Sequence, residues 1–96
     1  MLNTISHQKY WTLSVAMCVE ERKKANKYVR GVTVNQVRDW TNANDRTGYD
    51  RGAVYRRLEK LVQKGHLEKW WSCGSNVYKV ADRAKERWEE VALRCR

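Results

Sequence analysis

The sequence contains no proline, and only three cysteines and two histidines stand among its 96 residues. Cys18, Cys73 and Cys95 are odd in number and far apart, so they cannot form a full set of intramolecular disulfides, and no C-x-x-C pair points to a structural metal. Thiols packed in the core are the plainer expectation, with a bridge between subunits as the alternative. His66-Leu67-Glu68 matches the H-x-E half of the zinc deaminase signature, but the P-C-x-x-C half cannot exist in a chain without proline. Neither histidine has the Ser, Cys and acid arrangement of a triad around it, and no phosphate-cradling glycine loop is present. An enzyme is therefore not expected, nor is a cofactor or a metal. There is also no run of about 18 apolar residues, because the longest apolar-rich stretch, residues 10–19, is interrupted by Thr12 and Ser14. That excludes a membrane-spanning helix. Residues 1–8 lack a basic stretch ahead of an apolar one, so no signal peptide and a cytoplasmic location are expected. Repeats, linkers and low-complexity tracts are missing too, and the length fits one domain over residues 1–96.

What is abundant is positive charge. Twenty Lys and Arg face eleven Asp and Glu, a net of +9, and an apolar content of 42% is enough to fold. A folded basic domain seeks a polyanion. The excess is unevenly placed: residues 22–38 carry six bases and no acid, residues 46–79 add +5, and the rest of the chain is near balance. Charge that served only solubility would be spread more evenly.

Residues 6–26 have no glycine and are rich in apolar residues between Tyr10 and Val19, which predicts a helix whose middle is buried on several sides. Residues 28–33, β-branched and punctuated by Gly31, predict a brief strand or an extended connector. Thr33 and Gln36 have the spacing of a capping box, and Val32 and Val37 that of a hydrophobic staple, so a short helix is expected over residues 34–42. Residues 42–49, with two Asn, an Asp and Gly48, read as a turn. Asp50 can cap a helix over residues 50–64, closed by Gly65. Its core stripe is Val54, Leu58 and Leu61, and its opposite face is centred on Gly52, Arg56, Glu59 and Gln63, flanked by Tyr55 and Lys60. A hairpin spans residues 66–80, turning at Cys73, Gly74, Ser75 and Asn76. Asp82 can cap a last helix over residues 82–95, with Ala84, Trp88, Val91 and Cys95 as its apolar stripe. The class is mainly α with a small antiparallel sheet, α+β.

The order of these elements, and the string Val54-Tyr55-Arg56-Arg57-Leu58-Glu59-Lys60-Leu61-Val62-Gln63-Lys64-Gly65-His66-Leu67-Glu68, resemble the recognition-helix-to-wing junction of winged helix-turn-helix domains in small prokaryotic or viral transcription regulators. Tyr78-Lys79-Val80-Ala81-Asp82 resembles the wing's second strand passing into a last helix. The turn over residues 42–49 departs from that pattern, being longer than the ~3–4 residues of a simple helix-turn-helix. The resemblance implies sequence-specific binding of double-stranded DNA, with the helix over residues 50–64 in the major groove. Arg51 and Arg56 would then fork to guanine, Tyr55 would meet a phosphate or a thymine methyl, and Gly52 would let the backbone approach. Arg46, Lys60 and Lys64 would hold phosphates, as would Asn35 and Gln36 at the preceding helix's start. Lys69, Trp70 and Lys79, with Ser75 and Asn76 at the tip, would form a wing on the backbone or in the minor groove. Arg57, at the edge of the core stripe, reads as structural, and one of Trp70 and Trp71 as buried.

Two other functions compete. Winged helices also serve as protein-binding pieces of larger assemblies, and the five Trp and five Tyr admit binding to RNA or single-stranded DNA. A homodimer through the first and last helices is also expected, since both carry more apolar surface than one small core covers.

Overall fold

The computed structural model describes residues 7–82. Three helices, α1 (His7–Ala25), α2 (Val34–Asp45) and α3 (Arg51–Gln63), are followed by two antiparallel strands, β1 (Leu67–Ser72) and β2 (Ser75–Val80). The class is α+β. Beyond its first residue, Asp82, the last expected helix lies outside the described residues, and its stripe Ala84, Trp88, Val91 and Cys95 with it.

Helix α1 forms where neither proline nor glycine interrupts it, and its two mid-helix polar residues are satisfied locally. The Thr12 hydroxyl donates to the Gln8 carbonyl and the Ser14 hydroxyl to that of Tyr10, both at 2.8 Å, so both residues are buried at little polar cost. All five residues from Trp11 to Val15 are buried, which matches the expectation of burial on several sides. That surface is used within one chain. Met17, 45% exposed, is the one large apolar residue left open on the described part of this helix.

The expected strand over residues 28–33 is reduced to a single bridge, in which Val32 and Tyr78 exchange backbone hydrogen bonds of 2.9 and 2.8 Å. Local chemistry explains the loss. The Asn26 side chain accepts from the Tyr28 N–H, and the Asn26 carbonyl accepts from the Val29 N–H, so these donors close a turn and are not offered to a ladder.

The capping box of α2 is complete: Gln36 N–H donates to Thr33 Oγ1 at 3.2 Å, and Thr33 N–H to Gln36 Oε1 at 2.9 Å. Val32 and Val37 are fully buried in the same core cluster, as a staple requires. The helix runs three residues further than expected, because one tertiary bond and one bond within the helix hold a last turn rich in Asn. Tyr10 of α1 donates its phenol to Asp45, and Asn44 donates to the Trp40 carbonyl. Arg46 then ends the helix at φ 50°. The link to α3 is therefore Arg46 to Asp50, shorter than expected, and Asn42 Oδ1 organises it by accepting from the Thr47 hydroxyl and the Gly48 N–H.

Asp50 caps α3 through Oδ1, which accepts from the Ala53 N–H at 2.8 Å. At the other end Gly65 N–H donates to the Val62 carbonyl and His66 N–H to that of Leu61, with Gly65 at φ 79°, a Schellman termination. The hairpin is tighter than expected. Cys73 and Gly74 both have positive φ, 50° and 81°, so they form a two-residue turn of type I′, and β2 begins already at Ser75.

The core is one cluster in which Trp11, Val15, Cys18 and Val19 of α1 meet Val37 of α2, Val54, Leu58 and Leu61 of α3, Leu67 of β1 and Tyr78 of β2. Gly31 is wedged between this body and the hairpin. A Cβ there would lie 2.6 Å from the Tyr78 carbonyl oxygen, 2.7 Å from Val77 Cγ1 and 2.8 Å from Trp70 Cη2. Gly31→Ala is therefore expected to lower stability by about 1–3 kcal/mol, as overpacking does, and urea unfolding should show a lower midpoint with an unchanged slope.

Candidate nucleic-acid interface

Burying Val54, Leu58 and Leu61 leaves Arg51, Tyr55, Arg56, Lys60 and Lys64 exposed on and just beyond α3. Arg57 is drawn inward: its Nη1 donates to the Ala53 carbonyl, and its guanidinium lies 4.3 Å from the Tyr49 ring centre and 5.8 Å from that of Trp11. It is a packing residue, as the helical wheel indicates. Gly52 stands in the first turn in open surroundings. A Cβ there would meet only Arg56 Nη1 and Asp50 Oδ1, each at 3.6 Å, so the fold does not require glycine at this position.

Glu59 departs from the sequence reading, which places it on the exposed face. Its side chain is only 20% exposed, because it turns toward the hairpin. Oε1 accepts from the Tyr55 phenol at 3.2 Å and from Lys69 Nζ, while Oε2 accepts from the Tyr78 phenol at 3.3 Å. Burial pushes the Glu59 carboxyl up, but the Lys69 hydrogen bond and charge, joined by the two phenols, outweigh it and hold the carboxyl below its usual range. Lys69 is pushed up by the same bond. Burial, followed by the Glu59 charge, raises the Tyr78 phenol, which stays protonated and donates.

This arrangement changes the standing of the hairpin residues. Lys69 is neutralised by Glu59, and Lys79 lies between Glu68 at 3.4 Å and Asp82 at 3.6 Å. Alternation along β1 puts Leu67, Lys69 and Trp71 on the face that meets α3, and Glu68, Trp70 and Ser72 on the other. Trp70 is half-buried with its ring against the Gly31 backbone, whereas Trp71 is 69% exposed on the α3 side. Of the pair, Trp71 is the one free to touch a ligand. Only burial could tell the two apart, since both occupy equivalent strand positions in the sequence. Ser75 is exposed and Asn76 half-buried beside the turn.

The remaining residues are distributed as follows. Arg46 is exposed at its left-handed position, and Asn35 is exposed in the first turn of α2, whereas Gln36 is half-buried with Oε1 committed to the capping box. The Cys18 thiol is buried, and burial pushes it up to about 11, which makes it a poor nucleophile. Cys73 is exposed at the hairpin turn, and Cys95 lies outside the described residues. Among the described residues no cluster of His, Cys, Asp and Glu could hold a metal, and no helix is long and apolar enough to cross a membrane.

No protein-family model matches this chain, and no curated protein matches it significantly.

The Glu59 contacts titrate with a defined sign. The carboxyl is held below its unfolded value, so its contribution is present at neutral pH and lost as pH falls through the folded value. Glu59→Gln is expected to lower the melting temperature at pH 7, and the gap between variant and wild type should narrow as pH falls below about 4, where the unfolded carboxyl protonates, and close once pH passes the lower folded value. Melting curves at pH 7 and pH 3 check this, and a gap of equal size at both would assign the loss to packing alone.

Proposed function

We propose that the chain is a winged helix-turn-helix protein that binds double-stranded DNA sequence-specifically as a transcriptional regulator, with α3 entering the major groove. The observation that carries this reading is the composition of the exposed face of α3. Arg51, Arg56, Lys60 and Lys64 point outward, while the one acid between them, Glu59, is withdrawn and neutralised. A face of that kind suits phosphates and guanine edges, whereas protein interfaces are depleted of charge at their centres. Arg51 and Arg56 are assigned to bases, Lys60, Lys64 and Arg46 to phosphates, and Asn35 with the start of α2 to the flanking backbone. Tyr55 donates its hydroxyl to Glu59 and so offers its ring to a thymine methyl. The hairpin acts as the wing, with Trp71 taking the role that the sequence assigns to Trp70.

Gly52 supports the reading independently. Glycine inside a helix costs up to ~1 kcal/mol relative to alanine, and no contact within the fold requires it here. Its value is the close approach of backbone to ligand. Gly52→Ala should therefore raise the unfolding midpoint while weakening duplex binding, a pairing of effects that a purely structural glycine would not show.

Fluorescence anisotropy against duplex DNA, single-stranded DNA and RNA over a range of salt tests the function. Duplex should bind most tightly, with log K falling steeply with log salt at about 0.9 per phosphate contact. On a selected site Arg56→Ala should lose about 1–3 kcal/mol, and on random duplex much less. Preference for RNA or single strands, or no salt-dependent binding, would move the chain to one of the other two classes. A homodimer through α1 and the stripe Ala84, Trp88, Val91 and Cys95 would double the readout on a palindromic site, and a monomer mass in sedimentation with and without DNA would remove it.

A further inference from the structure

The most basic part of the chain is not α3. Arg22, Lys23 and Lys24 close the last turn of α1, and the turn that Asn26 builds sets Lys27, Tyr28 and Arg30 outward. Of these five bases only Lys23 has a carboxylate within ion-pair range among the described residues, Glu20 at 3.7 Å. No acid occurs anywhere in residues 22–38. On the hairpin, by contrast, the lysines are balanced, Lys69 by Glu59 and Lys79 by Glu68 and Asp82. An acid-free run of exposed bases repels itself and is relieved only by a polyanion or by counterions that a polyanion can displace.

An aromatic side chain stands inside this run. Tyr28 is 78% exposed, and the Lys27 ammonium lies 5.3 Å from its ring centre. An exposed ring among cations is the composition of surfaces that follow a nucleic-acid backbone, the ring lying on sugars or bases and the cations on phosphates. The patch also has a defined place. Val32 bridges to Tyr78, and Gly31 lies against Trp70 and Val77, so the segment runs into the outer side of the hairpin, not into α3.

We propose that Arg22, Lys24, Lys27 and Arg30, with Tyr28 among them, form a second phosphate-binding surface that holds nucleic-acid backbone outside the site contacted by α3. This rests on the DNA-binding reading for its ligand but not for its location. The phosphates come either from flanks of the same duplex or from a second duplex.

The triple variant Lys24→Gln/Lys27→Gln/Arg30→Gln alters exposed side chains only, and its fold is verified by its melting curve. Salt titrations on random-sequence duplexes of about 12 and 30 base pairs need no knowledge of a target site. If the flanks supply the phosphates, the salt slope of the variant on the long duplex is shallower than that of wild type by about 2 to 3, at 0.9 per lost contact, with little change on the short one. If a second duplex supplies them, wild type co-retains a fluorescent duplex on an immobilised one and the variant does not. Tyr28→Ala, which removes no charge, lowers affinity without changing the slope. A triple variant equal to wild type in slope on both lengths and in co-retention overturns this proposal alone, leaving α3 unaffected. A wild type that binds neither duplex overturns both readings.

Discussion

Tyr78 is the residue on which the geometry of this molecule depends. Its ring is fully buried, its backbone bridges Val32 ahead of α2, and its phenol donates to Glu59 on α3. One side chain thus joins the hairpin to the core, to the connecting segment and to the exposed helix. The magnitudes favour the ring over the surface charges nearby. Full burial of a large side chain contributes roughly 1.5–3 kcal/mol, whereas exposed ion pairs such as Lys79 with Glu68 contribute about 0–1 kcal/mol. The hairpin is held in place by burial first, and the Glu59 bonds then fix its angle to α3.

Around that node, most features that depend on neighbours in sequence are legible in the sequence alone. The Thr33 and Gln36 capping box, the Val32 and Val37 staple, the Asp50 cap, the Gly65 termination and the stripe Val54, Leu58 and Leu61 are all contacts within one or two turns, and spacing alone specifies them. Two of the three departures from the sequence reading depend on partners far along the chain, and the third on a short-range competition for backbone donors. Asn42 to Asp45 have turn chemistry, yet they are helical because Tyr10, thirty-five residues away, reaches Asp45. Residues 28–33 have strand composition, but Asn26 takes the donors that a ladder would use. Glu59 sits on the solvent face of an ideal wheel, and only the hairpin's return beside α3 brings Lys69 and Tyr78 to it. No periodicity within α3 carries that information.

The candidate site shows the same division. Arg51, Arg56, Lys60 and Lys64 are exposed where the wheel puts them, and Arg57 is half-buried against Trp11 and Tyr49 where its edge position indicates. The hairpin residues were less legible, because alternation says that adjacent tryptophans face opposite ways without saying which way is inward. The deciding contact is the absent side chain of Gly31, which admits the Trp70 ring and leaves Trp71 outside.

The pairing of Glu59 with Lys69 resolves a conflict that the amino-acid order alone leaves standing. If α3 faces phosphates as proposed, a bare carboxylate in its middle would repel them by about 3 kcal/mol for unit charges 5 Å apart at an effective dielectric of 20. Lys69 cancels that charge, so the pair is neutral to an approaching anion while Glu59 keeps its structural bonds to Tyr55 and Tyr78. The consequence is a division of labour within the basic excess. Lysines of the hairpin are internally balanced and contribute orientation, Arg51, Arg56 and Lys60 of α3 are exposed without an ion pair among the described residues, and the run from Arg22 to Arg30 has one ion pair for five bases. Net charge is therefore a poor guide to where this molecule attracts an anion. The residues that matter are those left without a carboxylate once the fold has made its own pairs.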